Sequence, residues 1–350
     1  MLQLDAPQAL MPKTLFESDS GAFNDLNEQS YELLVASWSD LESLLHTLLH
    51  SPERVNGFEQ KIIDIRYWLS DLIAQDSDTA LYLMFQVAAT STAGYSTSHA
   101  LVCATLCQLV AQPLNLTQEE LDILVHAALT MNVGMTEHQD RLATQTERPT
   151  ALQESIIKNH PSLGTEMLRG WGVADPMWLQ IVLHHHQPPA ETQSLASLNP
   201  VQRLTRILSS IDRYAAMISP RKSRAGRTVA DSLRAIMGQR FDPKDEVGKA
   251  LAAIAGLYPP GTVVKLDTQE LAIVLRRSTE INHPIVAGVI DAQGQAYERP
   301  PVYLTSNGKP KIHSSLPWSA LGSSLSHRTL VSLGLFTARQ GLRAMQLTQT

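Results

Sequence analysis

Cysteine is nearly absent from this sequence. The two present, Cys103 and Cys107, lie four apart in an apolar stretch that reads as helix, where a disulfide is geometrically awkward. A disulfide-stapled secreted domain is therefore excluded, and two free buried thiols suit a reducing, cytoplasmic setting. Long apolar runs are missing as well. The most apolar stretch, Ala80 to Thr90, is about half the roughly 20 residues a bilayer crossing needs, and it contains Gln86. No transmembrane segment is expected, and no secretory signal either, because Met1 to Ser20 lacks a basic start and is broken by Pro7 and Pro12. A basic excess is the third absence. Lys plus Arg number 28 against 34 Asp plus Glu, a net charge of −6, so the molecule as a whole has no attraction for nucleic acid or an anionic membrane. What remains is 350 residues with 43% hydrophobic and 18% charged side chains, enough for a sizeable core in about two domains or one elaborated one.

The apolar pattern is helical over most of the chain. After an aperiodic leader at 1–22, expected to be mobile, Leu33, Leu34, Trp38, Leu41, Leu44, Leu45, Leu48 and Leu49 recur at spacings of three and four. Ser51 before Pro52 reads as an N-cap with proline at the first helical position, restarting a helix that runs through Trp68 and Leu72. The wide apolar faces of 23–76 need a partner surface, either the rest of the protein or a second copy; a homodimer through residues 24–73 is one reading, and a solution mass near 38.5 kDa would count against it. Helices are predicted near 77–92 and 97–111. Thr117 and Glu120 form a capping box for the next one, and residues 136–150 read as a polar connecting loop. Further helices are predicted at 150–159, 161–170, 175–186, 199–218, 228–237 and 244–256. The breaker cluster Gly256-Leu-Tyr-Pro-Pro-Gly261 then gives way to short strands at 263–266, 271–275, 285–290 and 301–304. The expected organisation is N-terminal amphipathic helices at 23–76, a helical domain at 77–258, a small antiparallel β extension at 259–308, and a basic tail at 309–350. That tail has Lys309, Lys311, Arg328, Arg339 and Arg343 and no acid.

The histidines carry the chemistry. His99 opens a helix, His160 precedes Pro161, His184, His185 and His186 close a helix, and Asp212 lies within one. Imidazoles and a carboxylate delivered by several helices of one bundle are raw material for a metal site. A single His at a helix end is more often a packing residue, and three consecutive ones point about 100° apart, so at most two can share a site.

In order and interval, Tyr95 to Leu304 resembles the HD-GYP group of the HD phosphohydrolase superfamily. Tyr95-Ser-Thr-Ser-His99 resembles the group's Tyr-Thr-x-x-His, His160-Pro-Ser-Leu-Gly164 its His-Pro-x-x-Gly, and Ile181 to Gln187 the run ending in His-His-Glu. Arg206 to Asp212, with Ser219-Pro-Arg221, resembles the late metal-binding Asp and its Ser-x-Arg sequel, and Leu257 to Leu266 resembles the closing Tyr-Pro-x-Gly-Thr-x-Val. The resemblance implies a mainly α HD-domain bundle, a divalent metal held by His99, His160, His185, His186 and Asp212, with His184 and Asn132 as further candidates, and Arg221 near substrate. It also implies action on cyclic di-GMP in bacterial signalling.

Three departures bear on activity. Where the group has Leu-Leu-His-Asp-Ile-Gly-Lys, this chain has Leu129-Thr-Met-Asn-Val-Gly-Met135, so Met131-Asn132 replaces the metal-binding dyad and Met135 the lysine. Gln187-Pro-Pro-Ala-Glu-Thr192 stands where an Asp-Gly-x-Gly-Tyr-Pro run belongs. A thioether and a neutral amide are poor ligands for hard divalent ions, which argues for at most one metal, Fe²⁺, Mn²⁺ or Zn²⁺, rather than a dinuclear centre. Three readings follow: a regulatory or binding protein, with a signalling protein as partner; the same with one metal retained; and a divergent phosphodiesterase. His138 in the 136–150 segment is a weaker candidate for a substitute ligand, and Asp122 with His126 a candidate carboxylate–imidazole pair.

Overall fold

A computed structural model describes residues 21–90, 94–190, 193–219, 221–223, 226–236, 245–278, 280, 282–298, 300–322 and 333. The leader, apart from residues 21 and 22, lies outside them, as does the tail beyond 322 apart from Leu333, with Arg328, Arg339 and Arg343. The chain is mainly helical with a five-stranded C-terminal sheet. The helices are α1 (Gly21–His50), α2 (Phe58–Gln75), α3 (Ser77–Thr90), α4 (Tyr95–Val110), α5 (Gln118–Thr130), α6 (Thr136–Thr144), α7 (Ala151–Gly170), α8 (Pro176–His184), α9 (Pro200–Ile218), α10 (Val229–Ile236) and α11 (Glu246–Ala255). The strands are β1 (Val263–Leu266), β2 (Leu271–Arg276), β3 (Ile285–Ile290), β4 (Val302–Leu304) and β5 (Ile312–Leu316), in the antiparallel order β4-β3-β2-β1-β5.

Helix α4 is buried on nearly every side, from Tyr95 through Cys107, because α1, α3, α5, α6, α9 and α11 surround it. A helix in that position needs small or apolar residues all round, which Ala100, Ala104 and the two cysteines supply. Trp38, Leu41, Leu45 and Leu48 of α1 and Ile62, Ile65 and Leu69 of α2 are buried in the same core, while Leu33 of the α1 stripe is exposed. That core continues into one face of the sheet through Val263, Ile273, Leu275, Ala287 and Val289. The alternate residues Val264, Leu266, Ala272, Val274 and Val286 form a second cluster on the other face, as the strand period of two requires. The sheet is held to the helices by Arg276, which makes two bonds of 2.8 and 3.1 Å to Asp76, and by Arg277 on Asp78.

Four expectations need correction. Ser51 caps nothing; Pro52–Arg54 is one 3₁₀ turn, and α2 starts only at Phe58, after Gly57 turns the chain with φ +69°. Residues 136–150 are not all loop, since α6 occupies 136–144; its buried residues, Thr136, Gln139, Leu142 and Ala143, are too few and too polar to show a stripe. The two helices predicted at 150–159 and 161–170 are one helix, α7, running through Pro161. Finally, the first part of the expected tail is strand β5, which pairs with β1 although its Ser-rich sequence has little apolar content.

Candidate metal centre

The Pro161 correction explains the site. A proline within a helix cannot donate to the carbonyl four residues back, here that of Ile157. That carbonyl instead lies 2.6 Å from Nδ1 of His160. A carbonyl only accepts, so Nδ1 carries the proton and Nε2 of the neutral ring is a bare lone pair. His185, just past the end of α8, is oriented in the same way: its Nδ1 donates to the Val182 carbonyl at 2.7 Å. The two Nε2 atoms face each other at 3.1 Å. Both residues are fully buried. The ring of His186 completes the group, 4.1 Å from that of His185 and 5.1 Å from that of His160, and is exposed on its outer side.

Two lone pairs at that separation repel unless something positive lies between them. A proton is disfavoured: burial lowers the His160 pKa to about 4 and, with the charge of His186 added, that of His185 to about 3. A divalent cation meets the requirement. Backbone carbonyls fixing Nδ1–H and aiming Nε2 are the outer-shell arrangement that metal-binding histidines use. His160, His185 and His186 supply three nitrogens, and the exposed flank of His186 leaves access for a fourth ligand.

A second donor group faces the first. His99 of α4 places Nε2 2.7 Å from Asp212 Oδ1 of α9, and Cys103, one turn along α4, places Sγ 3.6 Å from the same nitrogen. Burial opposes ionisation of Asp212, but the His99 hydrogen bond and the neighbouring imidazoles of His99, His185 and His186 hold its pKa at about 2. Tyr95 stacks on His99 with ring centres 5.6 Å apart, and Arg221 lies over Tyr95 and donates to its hydroxyl at 3.2 Å.

His99, His160, His185, His186 and Asp212 are thus brought together. His184 is not; it turns outward and lines a pocket of about 640 Å³ with Met177, Gln180 and Gln187. Arg221 acts on Tyr95. Met131 is buried in the apolar core, Asn132 is buried at the start of the 3₁₀ turn Val133–Met135, and Met135 is half-buried. Asp122 pairs with Arg66, and His126 packs on Trp178. His138 belongs to neither donor group. Sequence reasoning passed over Cys103, whose apolar helical surroundings sufficed to explain it. It also missed Asp140 of α6, which accepts from the Ser96 amide at 2.7 Å and from His50 of α1 at 2.8 Å, capping α4 where Gly94 offers no side chain.

Gly134 sets the approach of the Met131-Asn132 segment to α7. A Cβ there would sit 2.3 Å from the His160 carbonyl oxygen and 2.7 Å from the Gly164 amide nitrogen, both backbone atoms. Gly134→Ala is expected to lower stability by about 3 kcal/mol in urea denaturation and to weaken metal binding in the same preparation. An unchanged midpoint would mean the two segments do not touch.

No protein-family model matches the chain. It is 25% identical over 187 residues to cyclic di-GMP phosphodiesterase PA4108 of Pseudomonas aeruginosa, covering 52% of this chain and 45% of the relative, so the chain spans less than half the length of that curated relative. Among solved structures it is similar to Bd1817, a HDG"Y"P protein from Bdellovibrio bacteriovorus, with a TM-score of 0.48, 17% identity and coverage of 61% of this chain and 69% of that one. The motifs by which the sequence resembles the HD-GYP group, far apart along the chain, are gathered at one buried site, and over about half its length the chain is similar to a curated cyclic di-GMP phosphodiesterase; to that extent it is HD-GYP-like.

Proposed function

We propose that this protein serves cyclic di-GMP signalling as a metal-holding regulatory module that binds the nucleotide or a protein partner and hydrolyses the nucleotide weakly or not at all. The observation that carries the reading is a contrast: an imidazole wall aimed for a cation, in a chain whose dyad positions hold a Met131 absorbed into the apolar core and a neutral Asn132. Phosphodiester hydrolysis needs an activated water in line with phosphorus and cationic charge on its oxygens, and a bound divalent ion supplies both. Here His160, His185 and His186 would hold one such ion. No carboxylate stands at position 132 to bridge it to a second, and no lysine at 135 to meet developing negative charge. Asp212 would orient His99, and Arg221 would position Tyr95 against that ring. Among the described residues no helix is long and apolar enough to cross a membrane.

The test supplies Mn²⁺, Fe²⁺ and Zn²⁺ separately to anaerobically prepared protein, and follows cyclic di-GMP binding by calorimetry and turnover by chromatography. Stoichiometric metal with turnover at background is the expected result. Turnover by the natural sequence that disappears in His160→Ala would overturn the regulatory reading and leave the divergent phosphodiesterase.

A further inference from the structure

The second donor group differs from the first in chemistry, since it includes sulfur. We infer that Cys103 is a metal ligand, its thiolate joining His99 and Asp212 around one ion, and that this site selects Zn²⁺ over harder divalent cations. The inference deepens the proposed function and rests on its premise that the helical domain holds a divalent metal.

Three observations support it. The first is distance. With zinc–sulfur and zinc–nitrogen bonds of about 2.3 and 2.0 Å, two tetrahedral ligands lie roughly 3.5 Å apart. Cys103 Sγ and His99 Nε2 are 3.6 Å apart. This pair therefore needs almost no movement, and its spacing of four residues on α4 keeps both side chains on one helix face. His99 Nε2 and Asp212 Oδ1, now at hydrogen-bond distance of 2.7 Å, would part by roughly 0.7 Å.

Charge is the second. A thiolate and a carboxylate neutralise a divalent ion, and a buried site without net charge avoids the large desolvation penalty of an unbalanced one. The three imidazoles of the first group bring no negative charge and offer no such balance by themselves. On binding, the thiol proton leaves to solvent, and His99 keeps its single proton, moved from Nε2 to Nδ1. That Nδ1 is buried without a hydrogen-bond partner, so it is unpaired in either tautomer.

The third is compensation by kind. Soft thiolate favours zinc, whereas carboxylate and water favour magnesium and manganese. The chain has a neutral amide at Asn132 where the resemblance implies a hard bridging carboxylate, and it has a soft donor, Cys103, among the ligand atoms of its second group.

Cobalt tests this, because a thiolate bound to Co²⁺ gives a sulfur-to-metal charge-transfer band in the near ultraviolet that nitrogen and oxygen ligands do not. The 350-residue chain, freed of metal, is titrated with Co²⁺ without oxygen. The band is expected, is displaced by Zn²⁺, and is lost in Cys103→Ser. Cys107→Ser leaves Cys103 as the sole thiol of the chain and keeps the band, so the assignment stands even where the Cys103 variant does not fold. Cobalt bound with visible d–d bands and no sulfur band would overturn the inference and leave the metal-holding reading intact. Loss of the band in Cys107→Ser would also overturn it. Absence of cobalt binding in every form would overturn both.

Discussion

Taken from about pH 7 to about pH 5 with a chelator present, the protein is expected to lose on the order of 5 kcal/mol of stability. Three imidazoles produce this. Burial above all holds His126 and His160 at pKa values of about 4 and His185 at about 3. In the unfolded chain each titrates near roughly 6.5. Below that pH the unfolded state takes up protons that the folded state refuses, so stability falls as pH falls. The loss starts near 6.5, slows near 4 as His126 and His160 become protonated in the fold, and ends near 3 with His185. Each group contributes at most about 1.4 kcal/mol per pH unit. Asp212 acts in a lower window: its depressed pKa of about 2 contributes stability that is present above its unfolded value and is lost only as pH falls towards 2. Urea midpoints at three pH values check the result, and a flat profile between pH 7 and 5 would exclude neutral buried imidazoles. His126→Phe, which replaces the ring packed on Trp178 with an apolar one, is expected to remove roughly a third of the slope.

His160 and His185 were legible as site residues, whereas His126 was read only as a candidate partner of Asp122, for a physical reason. His160 and His185 stand within spaced motifs. His126 sits in the ordinary apolar stripe of α5, and only tertiary packing against Trp178 shows that its ring is buried. The same division runs through the fold. The capping box Thr117 to Glu120 was readable because both its bonds are local, and Thr150 with Gln153 forms another of the same kind. Helix α6 was not readable, because much of what fixes it is remote: Asp140 reaches Ser96 and His50. Pro161 misled for the opposite reason. The rule that proline ends helices assumes a wasted carbonyl, whereas here the His160 side chain fills the role of the missing amide. Strand β5 depends on β1 for its conformation, and its own residues carry little preference.

Met131→His with Asn132→Asp is expected to raise bound metal by one equivalent and cyclic di-GMP turnover by at least about 100-fold over the natural sequence. The two changes contribute differently. Asn132 is nearly isosteric with Asp, and it opens the 3₁₀ turn whose Gly134 presses on the backbone of His160. An anion there would favour both a cation and a protonated imidazole, because opposite charge at short range stabilises the charged form. Asn132→Asp alone is therefore expected to tighten metal binding and to lessen the acid-induced loss of stability. Met131→His alone replaces an apolar core side chain with a polar one, costing about 1–3 kcal/mol where the new ring finds no partner. Only together do they give a second ion both its imidazole and its bridging carboxylate. Metal analysis, urea denaturation and turnover on the three variants separate these contributions. If the double variant folds with no added metal, position 132 does not face the imidazole wall, and the loss of the dyad cannot account for a missing activity. If it gains metal without turnover, the altered sequence from Gln187 to Thr192 becomes the limiting defect, and reaction fails at placement of the substrate rather than at the metal.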